Sequence, residues 1–428
     1  SELARGSNNK AYTNYRFGLP GVPSPASLAP LIPNLFVAGD YAFWENNYES
    51  DSIAVFGQGT WHLSEKTEVT LGLRYGEENT EFDMAVDIYD ASGNQFNVAN
   101  LLTGAFKGGA FAPLAGGNLA EALPHVMAVL GGAAPSTVDL AAGEVMRDGK
   151  RKDDDVTGML SITHQFNNDV MGFATVATGA KSGGFNGAFG STSNDDREFG
   201  QEKTTNYEVG FKMDLLDGAM RLNTSYFHTI YKDFQASSFD PVSVSFLVLN
   251  AGEQTTKGVD VDLTYLITDD LSFNTKIEYL DATYGDYKGA NCHKLADVKF
   301  ESDGSCTLDG ETMEFAPEWS GSISLDYATE VAGGEFYSNI NNSFKTDYYA
   351  DPSRALYSEV SHSTWNARIG WRSESWDVSL WGKNITDETY GKMFTSNLIS
   401  TLVGDPNDHN VWLNDPATYG VTLRYSFF

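Results

Sequence analysis

The last ten residues of the chain alternate between apolar and polar side chains. Tyrosine, valine, leucine and phenylalanine occupy every second position, and glycine, threonine, arginine and serine fill the positions between them. The apolar positions are Tyr419, Val421, Leu423, Tyr425 and Phe427, and Phe428 lies one residue beyond them. Because successive side chains of a strand point to opposite faces, this segment predicts a strand with one apolar and one polar face. Such a strand is typical of a transmembrane β-barrel, which meets lipid outside and water inside.

The same two-residue period recurs along the chain from Asp51 onwards. The predicted strands are 51–63, 67–83, 155–166, 169–179, 203–214, 218–235, 246–267, 271–284, 317–330, 334–350, 362–373, 375–390 and 417–428. The predicted fold class is therefore all-β, an antiparallel transmembrane β-barrel with about thirteen strands in residues 51–428. Residues 1–50 contain five prolines and no sustained period, so we expect them to form an extracellular loop region.

The predicted connections alternate between short turns and long loops. The long connections are 84–154, 180–203, 236–245, 285–316, 350–361 and 391–416. Outer-membrane barrels have short periplasmic turns and longer extracellular loops. We therefore expect all the long connections to lie outside the cell.

Composition restricts the class of protein further. Mean hydropathy is −0.31 and no window of about 19 residues is continuously apolar, which argues against transmembrane helices. The net charge of −30 argues against a nucleic-acid-binding protein, because such proteins need a basic face. The acidic runs, of which residues 153–155 are one, are either Ca²⁺ ligands or solvated loop side chains. Because no complete twelve-residue calcium loop is present, solvated side chains are the favoured interpretation.

Two cysteines, Cys292 and Cys306, lie in the polar connection 285–316. A disulfide between them would close a short loop, and it would persist only in an oxidising compartment. Two free thiols are the alternative. The expected extracellular setting favours the disulfide.

The residue types that carry covalent chemistry or bind metals do not fall into a recognisable spacing. The seven histidines match no metal-ligand motif such as H-E-x-x-H. Ser225 and His228 share a predicted strand, but a separation of three residues places them on opposite faces. The sequence therefore predicts no metal site, no cofactor and no enzyme activity.

Aromatic residues near the predicted loops are candidates for contact with a ligand. The tryptophans of the last strands are better explained as an interfacial girdle of the membrane than as a stacking site. These are Trp365, Trp371, Trp376 and Trp381. The expected ligand contacts lie at the outer mouth, where large loops with aromatic and polar tips are suited to capture a bulky small molecule. They are Phe185, Tyr348, Tyr349, Phe394 and Trp412, and packing of these aromatics on each other is the alternative.

Five short motifs resemble those of one protein family. Residues 179–186 read G-A-K-S-G-G-F-N, and residues 202–212 read E-K-T-T-N-Y-E-V-G-F-K. Residues 250–252 (N-A-G), 317–319 (P-E-W) and 384–390 (N-I-T-D-E-T-Y) complete the series. In their order and spacing these motifs resemble the barrel of TonB-dependent outer-membrane receptors.

The resemblance implies that the chain is the C-terminal barrel part of such a receptor, in the outer membrane of a Gram-negative bacterium. The family barrel is plugged and has 22 strands, so thirteen strands here leave nine for a portion that is not in this sequence. That portion is expected to contribute the plug, the first strands and the segment that binds TonB. The barrel-assembly signal of the family would here be the terminal apolar series, which Phe427 completes and Phe428 extends by one residue.

The implied function is uptake of a scarce nutrient, such as a ferric siderophore, with energy supplied through TonB. Iron would then enter as part of the ligand and not as a cofactor. The expected partners are the N-terminal portion of the same receptor, TonB acting through that portion, outer-membrane lipid and lipopolysaccharide, and a small-molecule ligand. A porin-like diffusion channel and an adhesin or docking barrel are the alternatives. Energy-dependent uptake would discriminate between the receptor and both of them.

Overall fold

The computed structural model describes residues 41–89, 144–186, 198–240, 245–290, 292, 296–302, 305–351, 354, 358–396 and 409–427. Residues 1–40, the centre of the predicted loop 84–154 and Phe428 lie outside the described residues. The described part is all-β, as predicted. Within it, no helix combines the length and apolar character needed to cross a membrane.

Thirteen antiparallel strands form one continuous sheet, which confirms the predicted number. In chain order the strands of the molecule are β1 (Tyr41–Ser64), β2 (Thr67–Tyr89), β3 (Glu144–Gln165), β4 (Val170–Lys181), β5 (Gly184–Phe185), β6 (Glu198–Phe199), β7 (Glu202–Leu215), β8 (Met220–Lys232), β9 (Gln235–Asp240), β10 (Ser245–Asn250), β11 (Glu253–Leu266), β12 (Leu271–Tyr284), β13 (Lys288–Ala290), β14 (Lys299–Phe300), β15 (Cys306–Thr307), β16 (Trp319–Val331), β17 (Gly334–Tyr349), β18 (Glu359–Arg372), β19 (Trp376–Lys383), β20 (Gly391–Ser396), β21 (His409–Leu413) and β22 (Thr418–Tyr425). The large sheet has the order β1-β2-β3-β4-β7-β8-β11-β12-β16-β17-β18-β19-β22. The other strands form small sheets within the long connections.

The first three strands reach well into the predicted loop regions 1–50 and 84–154. β1, β2 and β3 contain 24, 23 and 22 residues. Ion pairs across the ladder, such as Lys150 with Glu81 at 2.6 Å, link these extensions. On β3, seven of the eight residues 148–155 are charged, so the alternation that predicts a strand is lost there although the hydrogen-bonded ladder continues.

Two other predicted strands are shorter in the structure than in the pattern. The segment 246–267 divides into β10 and β11, because the chain bends at residues 251–252. The predicted strand 375–390 ends with β19 at Lys383, because Asn384 adopts a positive φ of 47° that a strand does not accommodate.

The two ends of the large sheet differ in their connections. At one end, turns of two to four residues join β1 to β2, β3 to β4, β7 to β8, β11 to β12, β16 to β17 and β18 to β19. At the other end, every connection is longer, and four of these connections contain the small sheets. The predicted alternation of short and long connections is therefore confirmed. We call the two ends the turn end and the loop end.

The large sheet has an apolar face and a polar face. At the C-terminus, Val421, Leu423 and Phe427 are 67%, 64% and 81% exposed on one side of the chain. Tyr419 and Tyr425 of the same series are exposed as well. Side chains of this size are mostly buried in water-soluble proteins, so this face is suited to contact with lipid. The predicted alternation of the terminal strand is confirmed, and its role as an assembly signal stays a prediction.

Polar side chains on the other face hydrogen-bond to each other across the strands. Asp326 accepts hydrogen bonds from Asn274 at 3.0 Å and from Asn339 at 2.7 Å. Asn366 donates to Asn341 at 2.9 Å on the neighbouring strands. These bonds satisfy the amide and carboxylate groups of the polar face within the sheet.

Trp381 lies on the polar face and not at a lipid interface. It stands opposite Gly420 in the ladder of β19 and β22, and its Nε1 donates to Thr422 Oγ1 at 3.1 Å. A Cβ at Gly420 would collide with the indole ring, so glycine leaves the room that the ring needs. The girdle prediction is therefore wrong for Trp381, whereas Trp365 and Trp376 are exposed on the apolar face.

A buried hydrophobic cluster lies in the connections at the loop end. It joins the connection between β8 and β11 to the connection between β12 and β16. Its members are Ala236, Ala251, Tyr284, Tyr287, Ala290, Cys306 and Leu308. The predicted disulfide between Cys292 and Cys306 is present, and Cys306 is fully buried. These loops therefore form a packed structure above the strands.

Candidate functional site

The segment 181–186 folds onto the polar face at the loop end. Ser182 Oγ donates a hydrogen bond to Glu78 Oε2 at 2.8 Å. The Gly183 N–H donates to Asp153 Oδ2 at 3.0 Å. The G-x-K-S-G-G-F-N motif is therefore attached to two acidic side chains of β2 and β3, which hold it at the mouth of the sheet.

Gly183 lies where a side chain would not fit. A Cβ there would overlap the Phe199 carbonyl oxygen and the Arg151 guanidinium. That guanidinium donates two hydrogen bonds to Asp153, at 2.7 Å and 2.6 Å, and a third to Glu198. Asp153 is only 5% exposed, so a bidentate ion pair fixes this part of the mouth in one orientation.

A second group of motif residues surrounds Gly200. Gln235 Nε2 donates to the carbonyl oxygens of Ser182 at 2.8 Å and Gly200 at 3.0 Å. Asn250 Nδ2 donates to the same Gly200 oxygen at 3.0 Å, and the Gln235 N–H donates to Glu202 Oε2 at 2.9 Å. Three of the recognised motifs, at residues 179–186, 202–212 and 250–252, therefore meet in one hydrogen-bond network.

The end of the motif segment packs on its neighbours. Phe185 stacks on Phe82, with ring centroids 5.7 Å apart and an angle of 12° between the planes. Asn186 exchanges two hydrogen bonds with the backbone of Val248, at 2.8 Å and 2.7 Å. Phe82 is 4% exposed, so its ring is almost completely buried in this stack. Phe185 thus has a packing role, and its contact with a ligand stays a prediction.

Three aromatic side chains meet on the polar face near the outer ends of β17 and β18. The rings of His362 and Tyr390 are parallel, with centroids 4.0 Å apart and planes 2° apart. Tyr348 meets His362 edge-on at 6.4 Å, and Lys345 Nζ lies 5.5 Å from the Tyr348 ring. We call Tyr348, His362 and Tyr390 the aromatic stack.

One cation lies beside the aromatic stack. Lys345 Nζ is 5.5 Å from the centroid of the Tyr348 ring. Burial raises the pKa of Tyr390, which lies in the connection after β19. Within the described residues, the buried Nδ1 of His362 has no hydrogen-bond partner. Flat aromatic rings beside an ammonium group are suited to bind planar, anionic molecules.

The motif at residues 384–390 places Tyr390 in the stack. Asn384 Nδ2 donates to the carbonyl oxygens of Glu388 at 2.8 Å and Asp415 at 3.1 Å. Its Oδ1 accepts the Glu388 N–H at 3.0 Å. The Tyr390 N–H then donates to Asn414 Oδ1 at 2.9 Å. The turn therefore has a fixed shape, and it directs the tyrosine toward β18.

Arg354 connects two of the long loops. Its side chain is 4% exposed and pairs with Glu314 at 3.3 Å and with Glu311 at 3.0 Å. The guanidinium also donates to the Thr312 carbonyl oxygen and lies 4.7 Å from the centroid of the Tyr349 ring. We call Arg354 with Glu311 and Glu314 the arginine clamp, because it holds the connection after β17 against the connection before β16.

The acid of the clamp is deeply buried. Burial raises the pKa of Glu314, while hydrogen bonds from Tyr284 and Arg354 act in the opposite direction. The Tyr284 hydroxyl donates to Glu314 Oε2 at 2.7 Å. Burial likewise raises the pKa of Tyr287 to about 12. Tyr284 and Tyr287 are therefore neutral, and the clamp depends on one buried carboxyl group.

The structure distributes the predicted ligand contacts over several places. Tyr348 and Tyr349 stand opposite different partners across a β-bulge and project from opposite faces, so they do not share a pocket. Phe394 is 7% exposed, and its N–H donates to the Ala350 carbonyl oxygen at 2.9 Å. Trp412 is 51% exposed on β21. Ligand contact by each of these residues stays a prediction.

The sequence pattern missed four residues of this region: Arg151, Arg354, His362 and Tyr390. Arg354 is the only lysine or arginine between residues 346 and 367, and this isolation in an acidic chain is a signal that could have found it. Tyr390 ends a recognised motif. His362 carries no such signal, because its partners come from other segments.

The described residues contain no group of three or more histidine, cysteine, aspartate or glutamate side chains arranged to hold a metal ion. In the acidic run 153–155, Asp153 pairs with Arg151 and Asp155 with Arg74 at 3.4 Å. These carboxylates therefore serve as counter-ions for arginine.

A model of the family described as TonB dependent receptor-like, beta-barrel, matches residues 3–385. Among individual proteins, the pesticin receptor of Yersinia pestis is 25% identical over 284 residues, which are 65% of this chain and 37% of that receptor. The ferric-pyoverdine M114 receptor PbuA of Pseudomonas sp. (strain M114) is 24% identical over 214 residues, which are 47% of this chain and 23% of that receptor. The chain therefore spans well under half the length of these relatives.

Solved structures have the same fold. The ferric yersiniabactin uptake receptor FyuA from Yersinia pestis superposes with a TM-score of 0.62 at 17% identity, over 91% of this chain and 47% of that one. The siderophore receptor PiuA from Acinetobacter baumannii gives a TM-score of 0.57 at 17% identity, over 89% and 44%. The thirteen-stranded sheet is thus part of an antiparallel β-barrel, with its apolar face toward lipid and its polar face toward the lumen.

Proposed function

This chain belongs to the TonB-dependent receptor family, and on that basis we propose that it takes up a ferric siderophore across the outer membrane with energy supplied through TonB. Members of the family are outer-membrane receptors and transporters of Gram-negative bacteria and not enzymes. The chain would contribute the outer mouth and most of the barrel wall. Capture at the mouth would precede the energised step.

The aromatic stack is the observation that carries the proposal. It lies on the lumen side of the sheet at the loop end, where a ligand arriving from outside would meet it. Its rings are flat, and Lys345 supplies a positive charge beside them. Ferric chelates of aromatic siderophores are flat at their rings and anionic, so both features complement them.

The similar proteins support the same ligand class. Two of them are described as a ferric yersiniabactin uptake receptor and a siderophore receptor. A third is described as a ferric-pyoverdine receptor. Each of these descriptions belongs to that protein, and we extend only the shared class, an iron chelate, to this chain.

The packed loops favour a receptor over a porin-like channel. The buried cluster, the arginine clamp and the network around Gly200 fix the loops at the loop end. A diffusion channel needs an open water path, whereas a receptor needs loops that hold side chains in fixed positions. An adhesin would also need fixed loops, so uptake must separate it from the receptor.

The partner of the sheet would be the remaining portion of the receptor. β1 and β22 are the two edges of the large sheet. An unpaired strand edge is costly in lipid, because its backbone groups find no water there. We expect further strands to pair with both edges, a plug to occupy the lumen and TonB to act through that plug.

Binding measurements on the full-length receptor would test capture at the mouth. Purified receptor in detergent would be titrated with ferric catecholate, phenolate and hydroxamate chelates, with intrinsic fluorescence as the readout. We expect the aromatic chelates to bind more tightly than the hydroxamate. Tyr390→Leu should weaken their binding about fivefold, as expected for the loss of one ring contact. Lys345→Gln should weaken it and reduce its dependence on salt.

Trp376→Leu is the matched control, because it removes a ring from the apolar face at the turn end. It should leave the affinity unchanged. Trp412→Leu tests the exposed candidate of β21 separately. Equal affinities for wild type, Tyr390→Leu and Lys345→Gln would contradict capture at the aromatic stack.

A further inference from the structure

A groove of about 510 Å³ opens on the apolar face above β4. Ala174 forms its floor, because this small side chain stands in one row between Ile162 and Val209. The walls are Leu160, Ile162, Val176, Tyr207, Val209 and Tyr226. The groove is a depression of the lipid-facing surface that an extended apolar chain could fill.

Two lysines lie beyond the outer end of this groove. Lys203 of β7 and Lys232 of β8 stand directly opposite each other, and both are exposed. Lys203 is four residues from Tyr207 on the same strand, so it shares the apolar face and lies about 13 Å nearer the loop end. The pair therefore sits where the lipid-facing surface gives way to the loops.

The lysine pair has no counter-ion within the described residues. Glu253 stands opposite Lys232 on β11 but forms no ion pair with it. By contrast, Lys257 on the same face pairs with Asp281 at 3.0 Å. Like charges directly opposite each other destabilise a strand pair, so an anion between the two ammonium groups would relieve their repulsion.

We propose that this face binds a phosphorylated glycolipid of the outer leaflet, with one acyl chain in the groove and a phosphate between Lys203 and Lys232. The inference rests on the proposed outer-membrane location. Lysine is a common phosphate ligand in proteins, and cationic side chains at a membrane surface attract anionic headgroups. The groove is thus suited to the acyl chain of such a lipid, and the lysine pair is suited to its phosphate.

The test uses full-length receptor in detergent and three lipid probes. They are lipopolysaccharide, the same lipopolysaccharide after enzymatic removal of its phosphates, and phosphatidylglycerol, with native mass spectrometry to measure bound lipid. The variant Lys203→Gln with Lys232→Gln should bind lipopolysaccharide about thirtyfold more weakly, the loss expected for two lysines at a membrane surface. The control Lys212→Gln with Lys276→Gln removes the same charge from the polar face and should bind as wild type does.

A second variant keeps the proposal testable if the lysine variant folds poorly. Ala174→Phe fills the groove with an apolar side chain, which a lipid-facing position tolerates. It should weaken binding of both intact and dephosphorylated lipopolysaccharide, whereas the lysine variant should weaken only the former. Equal binding of lipopolysaccharide to wild type and the lysine variant would overturn the proposal, and so would equal affinity for phosphatidylglycerol. Iron uptake by the lysine variant should stay at the wild-type rate, which separates this site from the proposed transport function.

Discussion

Replacing Arg354 with methionine should release two loops from each other at neutral pH. Arg354 and Glu314 are 4% and 8% exposed, and their charged atoms are 3.3 Å apart. Removing one partner of a buried ion pair costs about 3–5 kcal/mol, because the other charge stays buried. The pair with Glu311 adds little, because that side chain is 39% exposed and its charge is screened by water.

Glu314 can take up a proton once Arg354 is removed, and the buried charge then disappears. The destabilisation therefore cannot exceed the free energy needed to protonate this carboxyl at the pH of the experiment. At pH 7.5, protonating a carboxyl of ordinary pKa costs about 1.36 × (7.5 − 4.3), or roughly 4 kcal/mol. At pH 5.5 the same expression gives only about 1.6 kcal/mol. The variant should therefore lose about 3–4 kcal/mol of local stability at pH 7.5 and less than half of that at pH 5.5.

Hydrogen exchange measured by mass spectrometry would follow this change in the full-length receptor. The informative amides are Phe315, which donates to Tyr349 O, and Ala350, which donates to Ser358 O, both at 2.8 Å. Their protection factors should fall a few hundredfold at pH 7.5, and about fifteenfold at pH 5.5. Adding Glu314→Gln to Arg354→Met should restore most of the protection, because no buried charge remains. Equal losses at both pH values, or no rescue, would refute the reasoning.

Three further changes probe other parts of the mouth. Gly183→Ala should loosen residues 181–186 by about 1–3 kcal/mol, because its Cβ meets Arg151, and limited proteolysis would detect this. Cys292→Ser with Cys306→Ser should cost about 3 kcal/mol locally, seen as exchange in residues 288–307 with the large sheet unchanged. His362→Leu should weaken the packing of the aromatic stack by about 1 kcal/mol, because it removes one ring of the parallel pair with Tyr390, and hydrogen exchange around the stack would detect this.

Much of the sheet could be predicted from the sequence, because lipid and water impose alternation on every strand between them. The predicted strand 271–284 has the same bounds as β12. β22 covers Tyr419 to Tyr425 of the predicted terminal strand 417–428 and ends before Phe427. The physical cause is local, because each residue of such a strand faces either lipid or the aqueous lumen. Its side chain is apolar in the first case and polar in the second.

Where a strand extends beyond the membrane, neither face contacts lipid. The alternation of apolar and polar residues is then no longer required. On β3, seven of the eight residues 148–155 are charged, so both faces of this part of the ladder with β2 carry charge and no period marks it. The girdle prediction is wrong for Trp381 because an aromatic residue is accepted on either face of the sheet. The identity of an aromatic residue does not specify the face on which it lies. The position of Trp381 opposite Gly420 in the ladder shows that its ring lies on the polar face.

The candidate site could be predicted only in part. The motifs located the segment 181–186 and the turn that carries Tyr390, because their glycines and asparagines are local requirements of the backbone. The contact of His362 with Tyr390 depends on two segments brought together by the sheet, and neither segment encodes it alone. The bulge between Lys345 and Tyr348 likewise places Tyr348, and not Tyr349, on the lumen face. No pattern in the sequence predicts this bulge.

Uptake of iron in cells with and without TonB tests the central claim most directly. Cells that express the full-length receptor as their sole route for a ⁵⁵Fe-labelled aromatic chelate would be compared in isogenic backgrounds. We expect accumulation only where TonB is present, loss of accumulation when the proton gradient is collapsed, and slower accumulation for Tyr390→Leu. Accumulation at the same rate without TonB would contradict the account and favour a diffusion channel. Binding of the chelate at the surface with no TonB-dependent entry would contradict it equally and favour a docking barrel.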